Sequence, residues 1–187
     1  MLQYIKEHGK YLEITGYKNI SFDKAEIFLK TNRKQTKQNV DIQFFDAELI
    51  ATQEHLYFAV LNALHAFKNK TNLSKSLAME TLLYASAEGQ IQKAIERCGI
   101  KPPTTNMAVA IIGEDPKQMQ NAIDALNKGV SSEPDVSVLE MTKTKETKIK
   151  KVFKITNEEL KTMENNNQKK TIINIVIEQV ALLATHL

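Results

Sequence analysis

The spacing of hydrophobic residues changes several times along the chain, and each change predicts a different element. Val40 to Phe45 alternates apolar and polar residues, which favours a half-buried strand, whereas Met107 to Ile112 is a continuous apolar run that favours a central strand. Weaker strand candidates are Tyr11 to Thr15 and Val136 to Met141. The sequence therefore predicts one sheet of about four strands, which is a common size.

Helical spacing and helix-end signals fill most of the remaining chain. Asp115 precedes Pro116 and a helix that Gly129 would follow, while Thr156 and Glu159 have the spacing of a capping box. The predicted helices are Gln53 to Phe67, Leu77 to Tyr84, Glu88 to Cys98, Pro116 to Asn127 and a long C-terminal helix from about Gln168 to His186. The fold class is thus α/β or α+β, with a small mixed or antiparallel sheet covered by helices in a single domain spanning residues 1–187.

Composition places the chain among cytoplasmic globular proteins. Hydrophobic residues make up 42% of its 187 residues, and no apolar stretch is long enough to cross a membrane. The segment Met1 to Ile14 lacks the apolar core of a secretory signal, and the lone Cys98 cannot form an internal disulfide. The net charge of +3 is too small to identify a nucleic-acid partner, so the distribution of charge has to decide.

Residues typical of catalysis form no recognisable motif. His55 and His65 share one predicted helix, but ten residues of helix separate them by about 15 Å, too far to share a metal ion. Asp41 and Asp46 are most simply interpreted as solvated charges. We therefore expect no catalytic residue, metal, cofactor or small-molecule substrate. The alternative is a small-molecule enzyme whose pocket is assembled from dispersed Asp, Glu and His residues.

The predicted helix from Glu88 to Cys98 carries a polar stripe that begins at its expected N-cap, Ser86. Its apolar face would be buried, and a tyrosine at the preceding break could stack on a base. Free N–H groups at a helix start, together with positive charge, suit phosphate or exposed bases. A capped amphipathic helix with a solvated face is the plainer alternative. The stripe contains Ser86, Gln90, Lys93 and Arg97, the buried face Ile91, Ala94, Ile95 and Cys98, and the tyrosine is Tyr84.

A lysine-rich segment, Lys143 to Lys154, contains six lysines and one acid, Glu146. Ile149, Val152 and Phe153 recur at helical spacing and should face the core. The lysines can hold phosphates in a weak, salt-sensitive and sequence-independent way, and a solvated helical face explains them equally well.

The predicted C-terminal helix has more apolar residues than one buried stripe needs. The stripe is already complete with Ile173, Val176, Ile177, Val180, Ala184 and Leu187. The additional residues are Ile172, Ile175, Leu182 and Leu183, edged by Gln179 and His186. This part of the helix would expose an apolar patch unless a partner protein, or a second copy in a homodimer, covers it. A helix buried on both flanks is the alternative.

Taken together, these residues resemble the PRPK-binding-protein, or TPRKB-like, family of archaeal type, the kinase-binding subunits of the KEOPS complex. The resemblance covers most of Val40 to Ile112 and returns at Ile149 to Ile155 and in the C-terminal helix. It is carried by Phe45-Asp46-Ala47, His55-Leu56, Ala59, Ser76-Leu77-Ala78-Met79-Glu80, Tyr84-Ala85-Ser86, Gln90-Ile91, Ala94-Ile95 and Gly99-Ile100.

The resemblance implies a non-catalytic accessory subunit in the synthesis of N6-threonylcarbamoyladenosine at position 37 of tRNAs. Its partners would be the small atypical kinase/ATPase of the complex and the tRNA acceptor end with its 3′ CCA. We assign tRNA binding to Lys68, Tyr84, Ser86, Gln90, Lys93 and Arg97. We assign kinase binding to Ile172, Ile175, Gln179, Leu182, Leu183 and His186. The shared residues do not by themselves say which surface takes which partner.

Overall fold

A computed structural model describes residues 2–35, 39–162 and 167–185. The strands are β1 (Gln3–Ile5), β2 (Lys10–Tyr17), β3 (Val40–Asp46) and β4 (Met107–Gly113). The helices are α1 (Phe22–Gln35), α2 (Gln53–Asn69), α3 (Leu77–Ser86), α4 (Ile91–Cys98), α5 (Pro116–Val130), α6 (Lys143–Val152), α7 (Asn157–Thr162) and α8 (Gln168–Leu183). The expected class, helices with a sheet of about four strands and a C-terminal helix, is confirmed.

Two compact units are formed, each from two separate stretches of chain. Met1–Ala47 with Ile100–Val138 make the sheet unit, and Glu48–Gly99 with Leu139–Leu187 make the helical unit. None of the helices in the described part of the chain is both long and apolar enough to cross a lipid bilayer.

The sheet unit is organised around β4, which is buried at every position. The strand order is β1-β2-β4-β3 and every neighbouring pair is antiparallel. Helices α1 and α5 pack together, and α5 packs on β4 and β3, with Phe28 of α1 meeting Phe44 of β3 edge to face at 6.1 Å between ring centroids. The continuous apolar run correctly predicted this central strand, because a strand that is buried on both faces has no positions for polar side chains.

The prediction of a strand over Val136 to Met141 is wrong. Val136–Leu139 form a turn of 3₁₀ helix, and the fourth strand is instead β1. The cause is Asp135, whose carboxylate oxygen Oδ1 accepts hydrogen bonds from the Ser137 N–H at 3.0 Å and from its hydroxyl at 2.6 Å. A local side-chain bond of this kind competes with a strand ladder for the same backbone groups.

The predicted role of Gly129 as the residue that follows α5 is also wrong. Helix α5 continues to Val130, and Ser131 ends it in the left-handed conformation at φ 53°. A Cβ on Gly129 would lie 2.5 Å from Cδ2 of Phe28, so this glycine lets the aromatic ring of α1 approach the α5 backbone.

The helical unit brings α2 against α3 and α8, and α3 against α4. Its helix starts are fixed by side-chain caps: Thr52 accepts from the His55 N–H, and Ser76 accepts from the Met79 N–H. The predicted capping box before α7 is confirmed, because the Thr156 N–H donates to Glu159 at 2.6 Å and the Glu159 N–H donates back to the Thr156 hydroxyl at 3.2 Å.

Replacing Gly16 by alanine tests the close approach of the 3₁₀ turn to β2. A Cβ at Gly16 would lie 2.1 Å from Cγ2 of Val138 and 3.0 Å from the carbonyl oxygen of Asp135. We expect Gly16→Ala to lower the free energy of unfolding by about 2 kcal/mol through overpacking, measured by urea denaturation. Gly9→Ala is the control: it meets nothing within 4 Å and adds only the left-handed backbone strain of φ +62°, about 1 kcal/mol. Equal losses in the two variants would contradict the close approach.

Candidate functional site

The turn between α3 and α4 differs from its prediction. Ser86 is not the N-cap of the second helix; it is the last residue of α3, and Ala87 follows in the left-handed conformation at φ 51°. The N–H groups of Ala87 and Glu88 donate to the carbonyl oxygens of Tyr84 and Leu83, at 2.9 and 3.0 Å. These bonds satisfy the carbonyl groups at the end of α3, so α4 begins only at Ile91.

The predicted RNA-binding residues divide into buried and exposed members. Ser86 is completely buried, and its hydroxyl donates to the carbonyl oxygen of Leu83 at 3.0 Å. Tyr84 is 2% exposed, and burial, followed by the carboxylate of Glu80, raises its pKa. Neither side chain is presented to solvent. The exposed members of the predicted set are Lys68, Gln90 and Lys93, of which Gln90 is the N-cap residue of α4 and makes no side-chain capping bond.

Arg97, the last cation of the predicted stripe, is held from three sides. Its Nη1 donates to the carbonyl oxygen of Ser86 at 2.7 Å, and its Nη2 forms an ion pair with Glu88 at 2.5 Å. The guanidinium carbon also lies 5.6 Å from the centre of the Phe153 ring, within the range of a cation–π contact. Arg97 therefore ties α4 to the α3–α4 turn, and its charge is balanced by Glu88.

His55 occupies the centre of the helical unit with both ring nitrogens bonded. The Ala51 N–H donates to its Nδ1 at 3.1 Å, which leaves the proton on Nε2 to bond the Ala85 carbonyl oxygen at 2.8 Å. Burial lowers the pKa of His55 to about 4; the Ala85 bond opposes this and Lys145 adds to it. The imidazole is therefore neutral and joins the start of α2 to the end of α3. Phe153 packs against it edge to face at 5.7 Å between ring centroids.

Helix α8 is rotated relative to the predicted arrangement of its apolar residues. Three of the residues expected on an exposed patch, Ile172, Ile175 and Leu183, are buried, and Leu182 is 44% exposed. Gln179 is half-buried and its Nε2 donates to the carbonyl oxygen of Phe153 at 3.1 Å. His186 lies outside the described residues.

The buried side of α8 includes Val176 and Val180, as predicted, whereas Ile173 and Ile177 are only half-buried and Ala184 is exposed. The sequence shows how wide an apolar arc is, but the packing of α8 against α2, α3, α6 and α7 decides which part of that arc is covered.

Helix α4 also exposes apolar residues that its pattern predicted to be buried. Ile91 is 44% and Ile95 37% exposed, while Ala94 and Cys98 are buried as expected. Phe58 on α2 is a further exposed aromatic, at 37%. Large exposed apolar side chains are ordinary when single; Ile91 and Ile95 are one helical turn apart and so lie on one face.

The sheet unit contains one depression relevant to the enzyme alternative. Its lining residues are Asp124, Asn127, Lys128, Ser131, Ser132 and Glu133. Two carboxylates, of Asp124 and Glu133, are among these lining residues, and no histidine is. Asp124 also accepts a hydrogen bond from the Gln120 amide at 2.9 Å. The lining thus differs from the converging Asp, Glu and His residues that the alternative requires.

The members of the predicted sets that remain exposed, among them Lys68, Lys93 and Leu182, lie on helices. Residues 17–184 match the family described as kinase binding protein CGI-121, and the chain therefore belongs to this family. It is also similar to the "Regulatory protein Cgi121" of Methanocaldococcus jannaschii, with 32% identity over 126 residues, 67% of this chain and 79% of that protein.

The buried His55 predicts how stability depends on pH. Its pKa is about 4 in the folded protein and 6.5 for a histidine in an unfolded chain, so the unfolded state binds the proton first as the pH falls. We expect stability to be unaffected by this group above pH 6.5 and to fall by about 3 kcal/mol between pH 6.5 and 4. Urea denaturation across this range measures the loss. The variant His55→Gln should be less stable at pH 7 and lack this part of the pH dependence. An unchanged slope in that variant would assign the effect to other groups.

Proposed function

We propose that this chain is a non-catalytic accessory subunit of the KEOPS complex. In this role it binds the small atypical kinase/ATPase and the tRNA acceptor end with its 3′ CCA, in the cytoplasm, during synthesis of N6-threonylcarbamoyladenosine. Membership of the kinase-binding protein family over residues 17–184 is the observation that carries the proposal. The name of the archaeal relative, a regulatory protein, supports it.

For the kinase we propose the accessible part of α8. Of the described residues assigned to this partner, Leu182 is the most exposed at 44%, whereas Ile172, Ile175 and Leu183 are buried. An exposed leucine at the end of a helix can enter an apolar groove of a partner without any rearrangement of this fold. Kinase binding through α8 would then depend on Leu182 more than on its buried neighbours.

Leu182→Glu tests this assignment. We expect it to weaken binding of the partner kinase at least tenfold, because a charge replaces an apolar contact, while the melting temperature changes little. Isothermal titration with the purified kinase measures the effect. Ala181→Glu, the adjacent exposed residue, is the matched control and should bind normally. Light scattering of wild type and variant separates kinase binding from self-association.

An alternative kinase interface is available on α4. If Leu182→Glu binds normally and Ile95→Glu does not, the kinase occupies the exposed isoleucines of α4, and the assignment to α8 is wrong.

For RNA we propose the exposed start of α4, with Gln90 and Lys93 as contacts and Lys68 as a further cation. The first N–H groups of α4 carry no side-chain cap in the described structure, which supports an acceptor such as a phosphate at this end. The other three assigned residues have a supporting role in this proposal. They hold the α3–α4 turn in place: Arg97 through its bond to the Ser86 carbonyl oxygen, and Ser86 and Tyr84 as buried side chains.

Lys93→Glu tests this surface. We expect the affinity for an unmodified tRNA to fall about tenfold at moderate salt, because the substitution turns an attraction for phosphate into a repulsion. A filter-binding or fluorescence anisotropy titration gives the constants. Lys117→Glu on α5 changes the net charge equally at another exposed position and should bind nearly as wild type. A tRNA lacking its CCA end should bind weakly to the wild type and lose the difference between wild type and Lys93→Glu; equal binding of both tRNAs would refute acceptor-end recognition.

A further inference from the structure

The solvent-facing side of α6 consists only of lysines and threonines. Ile149 and Lys145 form its buried side, and Phe153 continues that side beyond the last turn. The single acid of the helix, Glu146, is half-buried. The side chains that face solvent are Lys143, Thr144, Thr147, Lys148 and Lys151, with Lys150 half-buried at the margin.

Among the described residues, two acids adjoin these cations: Glu146, one helical turn before Lys150, and Glu48, which pairs with Lys148. Lys148 forms an ion pair with Glu48 at 2.9 Å, an exposed contact of little energetic weight. Lys154, two residues after the helix, adds another exposed cation. The face therefore presents clustered cations over about 12 Å of helix from Lys143 to Lys151.

The first turn of α6 contains charges of both signs. Lys143 and the buried Lys145 lie in the first turn together with Glu146, at the end where the helix dipole is positive and favours acids. In the same unit, α2 and α3 have Glu54 and Glu80 in their first turns, whereas α8 has no acid there. Lys143 at this end of α6 costs a few tenths of a kcal/mol, and the first-turn Glu146 offsets part of that cost.

We propose that this face of α6 binds the phosphate backbone of a folded RNA. It would be a second contact, additional to the start of α4, and the inference rests on the RNA partner of the proposed function. Lysine is a flexible point charge that attracts phosphates without reading sequence. A membrane surface fits less well, because an interfacial helix inserts large apolar side chains beside its cations, and this face has none.

A triple variant on α6, Lys143→Gln with Lys150→Gln and Lys151→Gln, removes three of the cations and leaves the Lys148–Glu48 pair intact. Lysine and glutamine have similar helix propensities, so the fold should be retained, which circular dichroism verifies. The control triple, Lys6→Gln with Lys24→Gln and Lys117→Gln, removes equal charge from exposed positions of the sheet unit.

The measurement is the affinity for an unmodified tRNA as a function of salt. We expect the α6 triple to lose about tenfold at 0.1 M salt and to flatten the plot of log K against log salt by about 2, since each lost phosphate contact contributes about 0.7 to 0.9. The control triple should keep the wild-type slope.

An α6 triple with the wild-type slope would overturn the inference and leave the proposed function standing. Loss of kinase binding, or of binding to phosphatidylserine vesicles, with tRNA binding unchanged would assign the face to another partner and also overturn it. A wild-type protein that binds no tRNA even at low salt would refute the RNA part of the proposed function and this inference with it.

Discussion

A neutral, fully buried histidine holds the helical unit together. His55 uses both ring nitrogens to join the start of α2 to the end of α3, and this arrangement requires the uncharged ring. Phe153 packs on its edge, and Arg97 lies over the same phenylalanine while bonding the α3–α4 turn. The orientation of α4, and hence of the proposed RNA contacts, depends on this series of contacts because each member fixes the next.

Phe153 also explains why two predicted contact residues have a structural role instead. It accepts a hydrogen bond from Gln179 of α8 through its carbonyl oxygen, and its ring receives Arg97 of α4. One residue of the predicted kinase set therefore contacts the backbone of this buried phenylalanine, and one of the predicted RNA set contacts its ring. A polar residue within an apolar stripe is ambiguous in sequence, because bonding a buried carbonyl group and bonding a partner require the same chemistry.

Local signals predicted local structure well and packing poorly. The strands around Phe44 and Val109 and the Thr156 capping box follow from patterns only a few residues long. The late start of α4 and the rotation of α8 do not, because the first depends on hydrogen bonds that close α3 and the second on which helices surround α8. The single-domain organisation stays a prediction. The assignment of residues to kinase and tRNA also stays a prediction, because the chemistry of a surface does not identify its partner.

The alternation of the chain between its two units has a consequence for biosynthesis. The polypeptide passes from one unit to the other three times, so neither is a contiguous segment. β2 and β3 both pair with β4, which leaves the ribosome only after the whole of Glu48–Gly99 has emerged. Until then both strands have open edges, a state prone to association with other chains. Nascent chains of this protein should therefore depend on chaperones until residue 113 has left the ribosome.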